Sequence, residues 1–273
     1  YEQQDFHSRQ IDVWGISDKN LFLEANRILS QQSKPFFAII QTADNHRPYT
    51  IPQEDLGEFK KVDFPQDTLN KYGFHSNAEL NGFRYTDFCY RKFFEASKTQ
   101  PYFQNTLFIF VGDHGNKGDP GNLLPKAWTQ EALNREHVPL LFFSPRLLRP
   151  AVRSNVCSQL DILPSIAGLL SVSYTYSGMG RNLFESNADT NDFKYSSAFI
   201  IDHDENKIGM LNSRYYFRKI LNSNTKSLVS IINNEPVPKG KLADSLQNVL
   251  NNFTEAFYQT ALYLLYNNKR DNH

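Results

Sequence analysis

At 273 residues the chain is long enough for one large domain, or one domain with an appendage, and its 40% hydrophobic and 21% charged residues are ordinary globular composition rather than that of a disordered chain. Lys+Arg and Asp+Glu balance at 29 each, which argues against the basic footprint of a nucleic-acid-binding protein while leaving room for a local cationic pocket. The 22 Phe and 14 Tyr favour large buried contacts and a partly apolar, stacking-capable cleft.

In chain order, the first predicted element is a helix from Ser17 to Gln32. Ser17 can cap it, Leu21, Ala25, Ile28 and Leu29 share one face, and Lys34-Pro35 ends it. Phe36–Ile40 is a continuous apolar run, as expected of a strand covered on both faces, and the polar stretch Thr42–Pro52 follows it. Asn77–Lys98 reads as a long amphipathic helix with Leu80, Phe83, Phe88 and Phe93 among its apolar positions. Leu107–Val111 is a second buried strand running into Gly112-Asp113-His114-Gly115. A third, Val138–Phe143, is stopped by Ser144-Pro145, and Ser158–Leu170 is another helix. Strand, loop, helix and strand in alternation predict an α/β sheet with helices on its faces.

The character changes after about Gly178. Ala198–Ile201, Lys207–Leu211 and Arg214–Lys219 read as short antiparallel strands, the last two joined at Asn212-Ser213. Leu242–Tyr266 closes the chain as a helix with Leu246, Leu250, Phe253, Phe257, Leu262 and Leu265 at helical spacing. The expected organisation is an α/β domain over residues 1–190 and an antiparallel subdomain with a terminal helix over 191–273. Cys89 and Cys157 show no metal-type spacing and read as two buried thiols. No apolar run approaches the roughly 18 residues of a membrane helix. The chain begins at Tyr1 without a signal-peptide pattern, so it is expected to be a processed product or an excised portion, with any anchor or leader outside it.

The strongest chemical signal is Asp113-His114-Gly115 directly after a buried strand. Ligands gather at the carboxyl ends of strands in open α/β sheets, and a carboxylate beside an imidazole offers oxygen and nitrogen donors to a divalent cation. The competing reading is a turn in which Asp113 makes a local hydrogen bond and His114 is a surface residue. Asp44-Asn45-His46-Arg47-Pro48-Tyr49 follows the run Phe36–Ile40, and shares the edge of Asp113 if those two strands are parallel. There His46 could hydrogen-bond or protonate a phosphoryl or sulfuryl oxygen, Arg47 could add charge, and Asp44 offers a spare carboxylate. His137 immediately precedes a strand. Simple strand-end reasoning puts it at the opposite edge as a structural histidine, unless the strand runs antiparallel. No residue has the context of a nucleophile: there is no Gly-x-Ser-x-Gly elbow, no Walker loop and no Cys-x-Pro-x-Arg.

Taken in order, Asn45-His46-x-Pro48-Tyr49, Asn105–Gly115, His137–Pro145 and Gln159-Leu160-Asp161-Ile162-Leu163-Pro164 resemble the C-terminal portion of the lipoteichoic acid synthase-like sulfatase family, within the alkaline phosphatase superfamily. The resemblance covers residues 14–185 and implies an alkaline-phosphatase-like α/β/α sandwich, present in part. It implies that Asp113 and His114 bind a divalent metal (Mn, Mg, Ca or Zn), that His46 binds substrate, that His137 lies close to the metal, and that Asp161 is a structural cap. It also implies a bacterial enzyme facing outward from the cytoplasmic membrane, tethered by N-terminal helices and acting on sulfate or phosphate esters of envelope or extracellular glycans and lipids. In that family the nucleophile and a further acidic ligand precede the matched region, so this chain is expected to hold part of a site. The competing reading, from a different class, is a catalytically silent binding or structural module that kept the fold.

Overall fold

In the computed structural model, which describes residues 1–185, 196–233 and 235–268, Ser17 accepts the Asn20 N–H and opens helix α1 (Asp18–Ser30) where its hydroxyl predicts. The chain divides into two units, Tyr1–Leu124 with His137–Pro150, and Pro125–Glu136 with Ala151–His273. The expected domain boundary at 190/191 lies outside the described residues.

The first unit holds α1, a short helix α2 (Gln66–Lys71), the long helix α3 (Asn77–Ser97), and strands β1 (Phe108–Val111) and β2 (Leu140–Phe143). Ser76 caps α3 by accepting the Glu79 N–H. The helix interior carries the apolar stripe that its spacing predicts, with Tyr85, Phe88, Cys89 and Phe93 buried against Phe22 of α1, Phe59, Phe103 and Phe108. Aromatic pairs knit this core: Phe22 stacks on Phe93 at 5.0 Å and Phe94 meets Phe143 edge-on at 5.4 Å. Each fully buried Phe contributes roughly 1.5–3 kcal/mol relative to exposure. Phe83, on the edge of the predicted face, is exposed.

Two features differ from the expectations. The run Phe36–Ile40 forms no strand. Phe36 meets Tyr102 and Ile40 packs on the core, while Phe37 and Ile39 point outward at 73% and 82% exposure. An apolar run specifies which side chains seek burial; a strand also needs a neighbour to take its N–H and C=O groups, and none lies along this run among the described residues. The second difference is orientation. β1 and β2 pair antiparallel, from Phe108↔Phe143 to Val111↔Leu140, so the start of β2 lies beside the end of β1.

The second unit contains α4 (Lys126–Gln130), α5 (Ile162–Leu170), a four-stranded antiparallel meander and α6 (Lys241–Asn267). The meander runs β3 (Ser197–Asp202), β4 (Lys207–Asn212), β5 (Tyr215–Ile220) and β6 (Lys226–Ser230) in sequence order. The three predicted strands are present; β6, with its serines and lysine, gave no apolar signal. Side chains alternate across the sheet as period two requires. Met210 and Phe217 pack on Leu250 of α6, while Tyr216 and Ile200 face Leu133 and Trp128 from the 125–136 segment. Lys219 pairs with Glu255 of α6, and on the opposite face Arg218 Nε stands 2.7 Å from a Glu131 carboxylate oxygen, close but off the N–H axis. Helix α6 buries a narrower face than its spacing predicts, since Leu265 and Phe253 are exposed. Cys89 is buried and Cys157 half-buried, and both are free thiols. Among the described residues no helix is long and apolar enough to cross a membrane.

Candidate active site

The site belongs wholly to the first unit. Its base is the β1–β2 ladder: since Val111 faces Leu140, the residues after β1 and those before β2 share one edge. Gly112 packs closely there, since a Cβ at that position would stand 3.0 Å from both Cβ and Cγ1 of Val138. His137, next to Val138, is thereby brought to the Asp113 edge. The antiparallel direction of β2 settles the alternative that strand-end reasoning left open, in favour of the shared edge.

Asp113 and His114 turn outward. Asp113 Oδ1 accepts the His114 N–H at 2.9 Å, and His114 Nδ1 lies 3.1 Å from the Gly115 carbonyl oxygen. The local turn bond of the competing reading is therefore present. It leaves Asp113 Oδ2 and His114 Nε2 3.8 Å apart, on side chains 89% and 68% exposed. Two donors each about 2.1 Å from a cation stand roughly 3.0–3.4 Å apart in adjacent coordination positions, so this pair would close by a few tenths of an ångström to hold one between them. Two donors do not complete a coordination sphere, and no group of three or more His, Cys, Asp or Glu able to hold a metal occurs among the described residues.

His46 is positioned by contacts other than a strand. Its ring lies against Trp14, centroids 4.2 Å apart, and the Trp14 indole N–H donates to the Arg47 carbonyl at 2.7 Å. The loop then reverses: His46 O accepts the Tyr49 N–H, the peptide before Pro48 is cis, and Tyr49 adopts a left-handed φ of 61°. Tyr49 settles on α3 at Gly82, where a Cβ would come within 3.0 Å of its ring and 3.4 Å of the Asp44 carbonyl oxygen. The Arg47 side chain is exposed. Beside this loop a groove of about 330 Å³ is bordered by Tyr49, Ile51, Lys61 and Asp63.

Beneath the loop lie residues that sequence reasoning missed or misread. Asp44, the spare carboxylate, is buried, and its Oδ2 accepts the Asp18 N–H at 2.7 Å. Asp18 returns the bond: Oδ1 accepts the Ala43 N–H at 2.8 Å and Oδ2 the Asp44 N–H at 3.2 Å. Burial and then the Asp18 charge push the Asp44 carboxyl up to about 8, and burial also raises Asp18. Asp44 is committed inward. The sequence signal for this pairing was an Asp directly after the Ser17 cap, which reads as an ordinary first-turn acid. Trp14 carried no signal apart from its place in the Trp14-Gly15 turn.

The chain is similar to several known proteins. Lipoteichoic acid synthase 1 of Bacillus subtilis is 26% identical over 193 residues, covering 68% of this chain and 29% of that protein. The lipoteichoic acid synthase of Staphylococcus saprophyticus is 24% identical over 220 residues, covering 74% and 33%. The chain thus spans about a third of the length of these relatives. Among solved structures, the lipoteichoic acid synthase LtaP of Listeria monocytogenes superposes with a TM-score of 0.70 at 17% identity, over 97% of this chain and 63% of that one. A structure of Ps i-CgsB in complex with a neocarrahexaose superposes with a TM-score of 0.67 at 19% identity, over 90% and 55%. The fold is accordingly the mixed α/β, alkaline-phosphatase-like one. Residues 1–172 match the family model described as sulfatase, and the chain belongs to the sulfatase family.

Proposed function

We propose that this chain is part of the catalytic domain of a divalent-metal-dependent hydrolase or transferase acting on sulfate or phosphate esters of envelope or extracellular glycans and lipids, on the outer side of the cytoplasmic membrane. The observation that supports this reading is the gathering of Asp113, His114 and His137 at one edge of the β1–β2 ladder within a sulfatase-family chain. In it Asp113 and His114 hold the metal, for which Mn, Mg, Ca and Zn all suit the oxygen–nitrogen donors. The metal, when bound, polarises the ester and lowers the pKa of an attacking oxygen. His46 hydrogen-bonds the oxygens of the phosphoryl or sulfuryl group and Arg47 adds positive charge. His137 stands where it can donate or take a proton beside the metal ligands. The nucleophile and remaining acidic ligand belong to portions of the protein outside these residues, as a chain spanning a third of its relatives allows.

A second reading, a binding module without turnover, is favoured by one observation: the two donors stand without a third among the described residues. Thermal shift of the full-length protein separates the two. Binding of Mn²⁺ should raise Tm, and Asp113→Ala and His114→Ala should each abolish the rise. If Mn²⁺, Zn²⁺, Mg²⁺ and Ca²⁺ all leave Tm unchanged, and Asp113→Ala does too, the enzymatic reading is lost and the binding module stands.

A further inference from the structure

Asp18 and Asp44 are 1% and 6% exposed, and among the described residues their carboxylates accept from each other's main chain and from the Ala43 N–H. Their surroundings are mostly acidic or neutral. Asp12 comes from the segment before α1, Asp55 from the 53–57 turn, and Tyr85, Cys89 and Tyr90 from α3. Lys19, the residue after Asp18, pairs with Asp55, which also accepts the Tyr85 hydroxyl. Three N–H donors stabilise charge on the pair, but two full negative charges at this depth repel without a counterion between them. One retained proton removes that repulsion and leaves all three backbone bonds intact, because a protonated carboxyl still offers a carbonyl oxygen.

We propose that Asp18 and Asp44 form a reciprocal carboxylate clasp that positions His46, keeping its loop closed while the pair holds one proton and loosening it when both groups ionise. The mechanical link is short. The clasp grips Ala43 and Asp44, two residues ahead of His46, while Trp14 grips the loop from the other side through the His46 ring and the Arg47 carbonyl. The functional consequence rests on the reading of His46 as a substrate-binding group: closure presents its ring at neutral and mildly acidic pH, and ionisation withdraws it in alkali. Asp18 and Asp44 are positioning residues; neither touches substrate.

Amide hydrogen exchange on the whole chain between pH 6 and 9 tests the clasp without an activity assay. Protection factors, corrected for intrinsic exchange, should fall at Asp18, Ala43 and Asp44 by up to about tenfold per pH unit up to about pH 8 and level off above it, while core amides of α3 such as Phe88 stay protected. Asp44→Asn keeps an acceptor for the Asp18 N–H without the charge and should flatten the profile; Asp18→Asn should do the same if the first variant folds poorly. Protection independent of pH in the parent protein overturns the clasp, as does an equal fall in both variants. If exchange follows pH as expected but the KM for a sulfate or phosphate ester in the full-length enzyme does not, the clasp stands and the role assigned to His46 fails.

Discussion

Asp161 is the residue whose loss the second unit should feel most. Its carboxylate is 2% exposed and accepts four N–H groups: Ser158 N at 2.9 Å, Arg181 N at 2.7 Å, Arg181 Nη2 at 2.9 Å and Arg181 Nε at 3.3 Å. With Ser158 it completes a capping box at the start of the α5 segment, the structural role that family resemblance implies for it. The Arg181 guanidinium also donates to the Ser197 carbonyl at 2.7 Å, so the ion pair ties α5 to the first strand of the meander. Asp161→Ala leaves a largely buried cation without its anion, which costs roughly 3–5 kcal/mol, and removes a cap worth about 1 kcal/mol. Asp161→Asn retains one acceptor and should cost about half as much. Adding Arg181→Ala to Asp161→Ala should recover part of the loss, because the stranded charge goes with it. Urea unfolding followed by fluorescence reads this cleanly in a Trp14→Phe background, where Trp128, which donates to the Ile231 carbonyl inside the second unit, is the sole reporter. A midpoint for Asp161→Ala within about 0.5 kcal/mol of the parent, the size of an ordinary surface substitution, would mean that the network carries no net stability.

Two further outcomes are expected. Because the Asp44 carboxyl is raised in the fold from 3.8 to about 8, the folded chain keeps a proton that the unfolded chain releases between those values. The contribution of this carboxyl to stability is therefore full below about pH 4 and declines toward pH 8, at about 1.4 kcal/mol per pH unit; Asp44→Asn should remove that contribution from the pH dependence of calorimetric melts, and an unchanged pH dependence would contradict the assignment. Leu250→Ala, at a fully buried position against Met210 and Phe217, should cost about 2–5 kcal/mol in urea denaturation and leave metal-dependent thermal shifts of the full-length protein intact.

Much of this molecule was legible as a string. The Ser17 cap, the apolar stripe of α3, the short strands from 197 to 220 and the terminal helix follow from local rules, since a cap or a repeat is satisfied within a few residues. Asp113-His114 was found for the same reason: a glycine-flanked polar pair after an apolar run announces a strand end whatever lies beyond it. What depended on distant partners was not legible. The run Phe36–Ile40 has the composition of a buried strand, but pairing is a property of two segments, and its N–H and C=O groups meet no ladder among the described residues. His137 could be assigned to an edge only when the Phe108↔Phe143 register set the direction of β2. Asp44 looked like an available ligand, but the Asp18 N–H, 26 residues earlier, holds it inward, where burial and then the Asp18 charge raise its carboxyl. Sequence alone determined which groups of this sulfatase-family chain are candidates for chemistry. Only the tertiary structure decided which of them face solvent, which are buried as structure, and how the loop bearing His46 is held, because burial and pairing arise from contacts between segments far apart in the chain.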